Sequence, residues 1–482
     1  MDKLLIKIKK LIPTKLFKAL QPAYHFLLGW IAALWYGNPS EKIIVIGVTG
    51  TTGKTTCVYL IAKALEADGI KVGYTSTAMF NDGEREWLND KKMTMVGRFF
   101  SQRMLKQMVN NGCQYAIIET TSEGVVQYRH RFINYDILVF TGLYAEHIES
   151  HGSFENYKLA KGKLFEHLKR GKTKYADDLK LVNKVSSNMK KIDNNRVKKT
   201  IIYNADDEHA GYFSSFWSEQ KIGFWLKNIE KPLQPAGENL KLIIYGDINM
   251  DQTGTSFNLY TEEIMEGNAN KIKTKINLQL LGDFNATNAM TAICVGLSQD
   301  LSLTEIKRGI EQVTGIPGRL ERIDEGQDFT VIVDYAFEPK ALIKLYDTVK
   351  HLPHNKIIHI LGSAGGGRDV ARRPKLGQIA GENADVVIIT DEDPYDEDPE
   401  IIIDQVSLGV EKTGKKIDEN LFKILNRREA IKKALIMAKT RDIILLTGKG
   451  SEQAICVANG EKITWDDRAV VRGLLNEDIL MV

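Results

Sequence analysis

A short apolar run, a glycine-rich loop and a helical pattern follow one another early in the chain. Ile43–Val48 is continuously apolar, as expected of a strand buried in a parallel sheet. Cys57–Leu65 has the pattern of a helix. The loop between them contains Gly50, Thr51, Thr52, Gly53, Lys54, Thr55 and Thr56. Glycines between a strand and a helix let backbone N–H groups surround a phosphate at the positive helix end, so this run predicts an α/β fold with a phosphate loop.

The loop resembles the common nucleotide-binding pattern G-x-x-x-x-G-K-[ST]. In that pattern Lys54 would reach the β- and γ-phosphates, and the Thr55 hydroxyl would ligate Mg²⁺. The usual first glycine is replaced by Val48. A glycine-rich turn with an unrelated lysine, or a simple nucleotide switch, would be the alternatives. The flanking strand and helix patterns favour the phosphate loop.

More strand-like runs follow the phosphate loop. They are Tyr115–Ile118, Ile137–Phe140 and Thr200–Tyr203. Open α/β sheets bind ligands at the carboxyl ends of their strands. Glu119 directly follows the first run and could hold a metal ion there, although such an acid is more often solvated. Residues 231–280 carry patterns expected to form antiparallel hairpins beside this central sheet.

The C-terminal third of the chain alternates apolar strands with helical stretches. The strand patterns are Val331–Val333, Ile357–Leu361, Val386–Ile389 and Ile443–Leu446. This alternation predicts a second, Rossmann-like α/β domain. At ~150 residues per domain, 482 residues would suggest about three domains. The patterns instead divide the chain into an N-terminal helical extension (1–40), a central domain (41–314) and a C-terminal domain (315–482).

Charge and cysteine usage exclude some classes of protein. Lysine plus arginine number 65 and aspartate plus glutamate 62, and this net charge of +3 gives no reason to expect nucleic acid as a partner. The four cysteines are widely spaced and form no C-x-x-C pair: Cys57, Cys113, Cys294 and Cys456. This spacing argues against a disulfide framework or a zinc site and predicts a reducing compartment, the cytoplasm.

The first forty residues differ from the rest. Six lysines precede residue 19: Lys3, Lys7, Lys9, Lys10, Lys15 and Lys18. The apolar run Pro22–Trp35 that follows is shorter than the ~20 residues that span a bilayer, and it has no signal-peptide cleavage site. Residues 1–37 could form a helix lying in an anionic membrane interface, or a helix packed on the protein's own surface. The pattern leaves both interpretations open.

A series of short motifs, from about residue 41 to the C-terminus, resembles the Mur ligase family. The motifs, in chain order, are TGTTGKTT, ETTSEG, AEHIESHG, ENYKLAKGKLF, NADD, GDFNATN, PGRLE, VDYAFEP, RDVARRP, DEDPYDEDP and GKGSE. They are most like those of the members that add the third residue of the peptidoglycan stem peptide. The resemblance implies a monomeric, ATP-dependent ligase that joins an amino acid to a muramyl-peptide-like acceptor through an acyl phosphate, with two Mg²⁺ ions.

The resemblance also assigns roles in catalysis and nucleotide binding. Lys54 and Thr55 would serve the phosphates and the first Mg²⁺, with Glu119 as its carboxylate. His147 would bind the second metal ion, and Lys161 stands where the family carries a carbamylated lysine; without the resemblance it would be read as a solvated lysine. The positions assigned to the nucleotide are Asn285 and Asn288 at the adenine, Asp334 at the ribose or hinge, and Arg319 in the turn that begins the C-terminal domain.

Substrate roles follow in the same way. Arg368 would grip the α-carboxylate of the incoming amino acid and act with the catalytic residues. The other positions assigned to substrates are Thr94, Thr121 and Ser122 on the acceptor side and Asp393, Tyr395, Gly448 and Glu452 on the amino-acid side. The acceptor is less clear, because the family's Thr-Thr-Pro is Met93-Thr94-Met95 here and its Ser-Ser-His is Thr121-Ser122-Glu123.

The amino-acid selectivity motif departs from the family pattern. Members that add diaminopimelate carry Asp-Asn-Pro-Arg, whereas this chain has Glu392-Asp393-Pro394-Tyr395. Without the arginine the distal carboxylate of diaminopimelate would be desolvated and unpaired, at a cost of several kcal/mol in order of magnitude. The acidic residues Glu392, Asp393 and Asp396 favour a cationic side chain such as lysine.

Two further questions stay open at the level of sequence. Relatives usually carry about one hundred residues of a nucleotide-sugar domain before the phosphate loop, so the acceptor could be UDP-linked or membrane-linked. A folylpolyglutamate-synthase-like ligase and a non-catalytic nucleotide-binding homologue are the alternatives to a stem-peptide ligase. The joint presence of the phosphate-loop and metal-site residues disfavours the non-catalytic homologue.

Overall fold

The computed structural model describes residues 14–146, 151–186, 195–227, 240–265, 268–367 and 370–477. The predicted site residues His147 and Arg368 lie outside the described residues, as does most of the lysine-rich start of the chain. Within the described parts, two α/β units follow one another along the chain, each built on its own sheet.

The larger sheet has eleven strands among the described residues, in the spatial order β14-β13-β12-β11-β10-β6-β1-β5-β2-β3-β4. They are β1 (Ile44–Thr49), β2 (Val72–Thr75), β3 (Met79–Asn81), β4 (Glu86–Leu88), β5 (Tyr115–Glu119), β6 (Ile137–Phe140), β10 (Thr200–Asn204), β11 (Gln220–Leu226), β12 (Leu240–Asp251), β13 (Gly254–Met265) and β14 (Asn268–Leu278). A separate three-stranded sheet is formed by β7 (Thr173–Ala176), β8 (Val182–Ser186) and β9 (Arg196–Val197).

The middle of the larger sheet is parallel and its ends are antiparallel. Strands β1, β5, β6, β10 and β11 pair in parallel, and β12 joins β11 in parallel before turning back through β13 and β14. The predicted antiparallel hairpins are therefore confirmed, and they extend the central sheet itself. Strand β1 is buried along its whole length, which explains its unbroken apolar sequence.

Helices cover both faces of this sheet. The helices of this half are α1 (Thr14–Trp35), α2 (Lys54–Glu66), α3 (Arg98–Asn110), α4 (Ser122–Val126), α5 (Phe154–Leu168), α6 (Ala210–Ser214), α7 (Phe284–Ser298) and α8 (Leu303–Glu311). Helices α2, α7 and α8 pack on one face, and α3, α5 and α6 pack on the other. Because α2 starts at the carboxyl end of β1, the loop between them lies at the edge where parallel sheets bind ligands.

The C-terminal sheet has the order β15-β16-β20-β17-β18-β19. Its strands are β15 (Glu321–Ile323), β16 (Thr330–Val333), β17 (Ile357–Leu361), β18 (Val386–Ile389), β19 (Leu421–Lys423) and β20 (Ile443–Leu446), and a small hairpin follows in β21 (Ala454–Cys456) and β22 (Lys462–Thr464). Except for β15, the strands of the six-stranded sheet pair in parallel.

Helices also cover both faces of the C-terminal sheet. They are α9 (Pro339–Val349), α10 (Arg373–Asn383), α11 (Pro399–Glu411), α12 (Arg427–Met437) and α13 (Asp467–Asn476). Apolar residues of α9, α10 and α11 fill one face, and those of α12 and α13 fill the other. The predicted fold class, a P-loop α/β domain with a Rossmann-like second domain, is confirmed. The domain limits 41–314 and 315–482 stay a prediction.

Helix α1 packs against α3, on the face of the central sheet that α3, α5 and α6 cover. Gly29, Ala32 and Ala33 are buried, and the ring of Phe26 meets Phe132 edge-on with centroids 5.0 Å apart. The opposite face of α1 is exposed and apolar. Among the described residues, no helix is long and apolar enough to cross a membrane.

Candidate active site

The phosphate loop has the backbone geometry that a phosphate cradle requires. Gly53 caps α2 with φ 79°, and a Cβ atom there would lie 2.5 Å from Oδ1 of Asn288, so only glycine fits. Lys54 Nζ donates to the carbonyl oxygen of Thr51 over 2.7 Å. Burial lowers the pKa of Lys54, although the carboxylates of Glu119 and other acids oppose the shift. Backbone N–H groups at the start of α2 and this lysine form a site suited to phosphate oxygens.

A hydroxyl and a carboxylate meet beside the cradle. Thr55 Oγ1 donates to Glu119 Oε2 over 3.0 Å, and Glu119 is 1% exposed. The backbone N–H and the hydroxyl of Thr77 donate to the two Glu119 oxygens over 2.7 and 3.0 Å. These oxygen atoms are the kind of ligands that Mg²⁺ prefers. The described residues contain no cluster of three or more metal-binding His, Cys, Asp or Glu side chains.

Lys161 lies directly against the phosphate loop. Its Nζ donates to the carbonyl oxygen of Gly50 over 2.8 Å and stands 4.7 Å from the ring centre of Tyr157. Burial, reinforced by the charge of Lys54, lowers the pKa of Lys161 well below its ordinary value. The reading of Lys161 as a solvated lysine is therefore wrong, because only 2% of the residue is exposed.

The residues assigned to the nucleotide base and ribose make internal contacts. Asn288 Nδ2 donates to Asn285 Oδ1 over 2.9 Å, and both residues are buried on α7 next to the phosphate loop. The two carboxylate oxygens of Asp334 accept backbone N–H groups of Leu320 and Ala336, each over 2.7 Å. Asp334 therefore ties the start of the C-terminal unit to the end of β16, which fits the hinge role better than the ribose contact.

Arg319 connects the two halves of the molecule. Its Nη2 donates to Thr55 Oγ1 over 3.3 Å, and its guanidinium lies 4.5 Å from the ring centre of Tyr335. Since Arg319 follows the larger sheet in sequence and Thr55 belongs to the phosphate loop, the C-terminal unit contributes a fixed cation to the phosphate site. A second hydrogen bond between the two halves runs from the Tyr144 hydroxyl to Glu338 Oε2 over 3.1 Å.

The three residues assigned to the acceptor lie along the same edge of the central sheet. Thr94 Oγ1 lies 2.9 Å from Thr77 Oγ1. Thr121 caps α4 by accepting from the N–H of Gly124, and Ser122 Oγ lies 3.0 Å from Nε2 of His151. Thr94 is thus linked through Thr77 to the carboxylate of Glu119.

On the amino-acid side, Asp393 and Glu452 are engaged by lysines of the chain itself. Lys92 Nζ lies 2.6 Å from both Asp393 oxygens and 2.9 Å from Glu452 Oε2. Lys449 Nζ donates to the same two carboxylates over 3.0 and 2.8 Å. The sequence analysis assigned a role to neither lysine: Lys449 stands inside the GKGSE motif, but no motif distinguishes Lys92.

Glu392 is the acid of this region that keeps an unsatisfied oxygen. Among the described residues its Oε2 has no hydrogen-bond partner, and the side chain is buried. Burial and then the charge of Asp393 raise the Glu392 pKa to about 7. Gly448 makes room for this carboxyl, since a Cβ atom there would lie 2.2 Å from Oε2. Tyr395 has a φ of 52°, and its backbone N–H donates to the carbonyl oxygen of Cys456 over 3.1 Å.

Together the fold and the site define a P-loop α/β enzyme whose second α/β domain closes over the phosphate site. The Mur ligase middle domain matches residues 48–199 and 176–296, and the Mur ligase, glutamate ligase domain, matches residues 318–450. The chain belongs to the Mur ligase family, whose members are ATP-dependent ligases that form carbon–nitrogen bonds and use ATP and Mg²⁺.

Named relatives are similar over nearly the whole chain. A UDP-N-acetylmuramyl-tripeptide synthetase of Roseiflexus sp. (strain RS-1) is 35% identical over 95% of this chain and 83% of its own length. A UDP-N-acetylmuramoyl-L-alanyl-D-glutamate--2,6-diaminopimelate ligase of Geobacillus kaustophilus (strain HTA426) is 32% identical over 93% of this chain and 82% of its own length. The second name specifies diaminopimelate, whereas the first names no amino acid.

Solved structures agree on the fold. A UDP-N-acetylmuramoyl-L-alanyl-D-glutamate--2,6-diaminopimelate ligase superposes with a TM-score of 0.54 at 26% identity, covering 90% of this chain and 78% of its own. A Mycobacterium tuberculosis folylpolyglutamate synthase in complex with ADP has a TM-score of 0.58 at 15% identity, covering 86% of this chain and 90% of its own. The latter likeness shows the fold alone, and the folylpolyglutamate alternative is not favoured.

Proposed function

We propose that this ligase joins an amino acid to a carboxylate of a muramyl-peptide-like acceptor during peptidoglycan stem-peptide synthesis. The observation that carries the proposal is the meeting of two domains at one point: Arg319 of the C-terminal domain contacts Thr55 of the phosphate loop, next to Glu119. A ligase of this kind must bring nucleotide, acceptor and amino acid together, and this junction adjoins all three assigned regions.

The reaction poses an electrostatic problem, because an anionic carboxylate must attack a polyanionic phosphate. ATP supplies the phosphoryl group that activates the carboxylate, and Mg²⁺ neutralises charge on it. Within the chain, the start of α2, Lys54 and Arg319 supply fixed positive charge. Thr55 and Glu119 would hold the first ion. Closure of the C-terminal domain would exclude water from the acyl phosphate.

The environment of Lys161 supports a carbamylated side chain. Carbamylation requires the neutral amine, since only an unprotonated nitrogen can attack CO₂. Burial lowers the pKa of Lys161 and so favours that form. The carbamate would place a carboxylate beside Gly50, near Lys54, where with His147 it could hold a second Mg²⁺.

The amino acid is proposed to carry a cationic side chain, with lysine as the first candidate. Asp393 and Glu452 are neutralised by Lys92 and Lys449, so the acid left to receive an ammonium group is Glu392. Diaminopimelate carries a carboxylate as well as an ammonium group at its far end, and Tyr395 stands where diaminopimelate-adding members carry an arginine. Charge complementarity therefore supports lysine over diaminopimelate.

A matrix of acceptors and amino acids tests the function. UDP-muramyl dipeptide, a lipid-linked muramyl dipeptide and folate are each combined with lysine, diaminopimelate, ornithine or glutamate, and ADP release and product mass are measured. Lysine-dependent product with a muramyl acceptor supports the proposal. ADP release that needs no amino acid, or product only from folate and glutamate, contradicts it.

We further propose that α1 rests on an anionic lipid surface. Between residues 20 and 35 its exposed face is apolar, formed by Leu20, Tyr24, Leu27, Trp30, Ile31, Leu34 and Trp35. Six lysines in the first eighteen residues complement anionic headgroups, and aromatic side chains suit the interface. The four cysteines are buried and free, which supports the cytoplasmic side of such a membrane.

Vesicle co-sedimentation tests this contact, with phosphatidylglycerol-containing vesicles compared with phosphatidylcholine alone. The wild-type chain should sediment with the anionic vesicles, and the double variant Trp30→Glu/Leu34→Glu should not. Ile436→Glu is the matched control, because Ile436 is equally exposed (57%) on a helix of the C-terminal domain. Equal sedimentation of all variants contradicts the lipid contact. A wild-type dimer that the double variant converts to monomer would show that a second copy covers the face, and would also overturn the proposed monomer.

A further inference from the structure

A loop of the central domain inserts a lysine into the C-terminal domain. Residues 89–97 connect β4 to α3, and Lys92 adopts φ 50°, a left-handed conformation unusual for lysine. Its Nζ reaches both oxygens of Asp393, one oxygen of Glu452 and the carbonyl oxygen of Ala454, all within 2.9 Å. The side chain is 5% exposed. A strained backbone and a buried ammonium group indicate that the contact is specific.

The cluster balances its charges internally. Lys92 and Lys449 face Asp393 and Glu452, and the least buried of the four side chains is 14% exposed. Burial opposes the charge on Lys92, but the carboxylates of Glu452 and Asp393 together hold its pKa above the ordinary value. Removing Lys92 would leave two buried carboxylates with one lysine, which is costly in a desolvated site.

The same loop is tied at its other end to the metal site. Thr94 Oγ1 and Thr77 Oγ1 lie 2.9 Å apart, the backbone N–H of Thr77 donates to Glu119, and Glu119 accepts from Thr55 of the phosphate loop. The loop itself is braced by Asn89, whose Nδ2 donates to the carbonyl oxygens of Ser76 and Met93. A continuous series of hydrogen bonds and ion pairs thus runs from the phosphate loop to the amino-acid side of the C-terminal domain.

We propose that Lys92 is a positioning residue that locks the C-terminal domain, with its bound amino acid, against the acceptor loop and the metal site. The proposal rests on the proposed function, in which the C-terminal domain delivers the amino acid. Lys92 acts through Asp393 and Glu452, which it holds next to Glu392, the acid left to receive the substrate's ammonium group. Forming this ion cluster is therefore coupled to domain closure.

An opposite role for Lys92 is that its ammonium occupies the position of the substrate's own side chain and must leave before binding. The two roles predict opposite changes in the KM for the amino acid. A locking lysine lowers KM by holding the closed site, so its loss raises KM. An occupying lysine competes with the substrate, so its loss lowers KM.

The test compares Lys92→Met, Lys92→Arg and the matched control Lys91→Met in the full chain. Lys91 is the neighbouring lysine of the same loop, and it is 42% exposed and pairs with Asp90. Lys92→Met should raise the KM for lysine by about thirtyfold or more, as expected for truncating one partner of a buried charged contact, with a smaller change in kcat. Lys92→Arg should recover part of the effect, and Lys91→Met should resemble the wild type.

A second readout does not depend on turnover. Small-angle X-ray scattering with a non-hydrolysable ATP analogue should give a larger radius of gyration for Lys92→Met than for the wild type and Lys91→Met. If Lys92→Met does not fold, Lys92→Arg is used in both measurements. Its KM for lysine and its radius of gyration should then be moderately larger than those of the wild type. Unchanged scattering and KM, or a lowered KM, overturn the proposal. A wild-type chain that adds no amino acid would end the proposed function, while the scattering comparison would still decide whether Lys92 closes the domains.

Discussion

Burial determines the protonation of the lysine predicted to be carbamylated. In solution a lysine is almost wholly protonated at neutral pH, and an ammonium group cannot react with CO₂. Lys161 is held next to the backbone of Gly50, where burial and the nearby charge of Lys54 lower its pKa. The neutral amine is therefore a larger fraction of Lys161 than of a solvated lysine at the same pH.

Replacement of Lys161 by alanine should lower turnover by about two orders of magnitude, because it removes a proposed ligand that stabilises charge in the transition state. Added short-chain carboxylic acids should restore part of the activity by entering the space left by the side chain. The control is Lys163→Ala, an exposed lysine on the same helix, which should keep full activity. Steady-state rates with and without the acid decide the matter, and a fully active Lys161→Ala variant would contradict the two-ion site.

Glu392 predicts a pH dependence of stability. Its pKa is about 7 in the folded chain and about 4.5 when exposed, so the folded state holds a proton that the unfolded state releases in between. Stability should therefore fall as pH rises from about 4.5 through 7, by an amount on the order of 3 kcal/mol at most. Glu392→Gln lacks this loss, so its stability relative to wild type should increase between pH 5 and pH 8.

Denaturant unfolding of both chains at the two pH values measures this difference. Glu419→Gln, at an exposed position of the same domain, is the control and should show the wild-type pH dependence. A constant difference between wild type and Glu392→Gln at both pH values would mean that Glu392 is ionised throughout. In that case cationic groups of the chain already offset the Glu392 carboxylate, and burial does not raise its pKa.

At the level of elements, local patterns were enough to place most strands. Ile137–Phe140, Ile357–Leu361, Val386–Ile389 and Ile443–Leu446 have the limits that their apolar runs predicted. Each is a short strand buried on both faces, so its boundaries coincide with the first polar residues. Helix α2 begins three residues before the predicted start and ends one residue after the predicted end, because its first turn is the polar phosphate loop rather than an apolar face.

Two glycines in helices should respond in opposite ways to replacement by alanine, because one lies in the close contact between α8 and α2 and the other is exposed. A Cβ atom on Gly309 would lie 2.2 Å from the carbonyl oxygen of Lys63, so Gly309→Ala should force these helices apart and cost about 1–3 kcal/mol. Gly473 on α13 is exposed and has nothing within 4 Å of such an atom. Gly473→Ala should therefore stabilise the chain by about 0.5–1 kcal/mol. Thermal unfolding of the two variants should show shifts of opposite sign, and equal shifts would contradict the packing argument.

For the whole molecule, the described residues form two large sheets with separate apolar cores, besides a three-stranded sheet and a hairpin. We predict that calorimetry resolves two unfolding transitions, since each core can lose its packing without the other. ATP with Mg²⁺ should raise the transition of the central domain more than the other, because ligand binding stabilises the part that binds it. A single two-state transition shifted as a unit would instead show that the interdomain contacts make the chain one cooperative structure.

The strand–glycine loop–helix run was sufficient to predict the phosphate loop, and the order of short motifs was sufficient to predict the family. Both depend on interactions within a few residues, such as hydrogen bonds in a turn and burial of one apolar run. Thr55 and Glu119 could be assigned from those motifs, and they do meet, because neighbouring parallel strands end at the same edge.

The amino-acid side depended on the meeting of the two domains. Lys92 and Asp393 are separated by 301 residues, and no local pattern relates them. Their pairing leaves Glu392, rather than Asp393, with a buried oxygen that has no hydrogen-bond partner in the part of the chain that the structure describes. Composition and motifs establish which charged groups the chain contains. Which of them neutralise one another depends on distance and burial in the folded molecule, because electrostatic energy is a property of positions in space rather than of order along the chain.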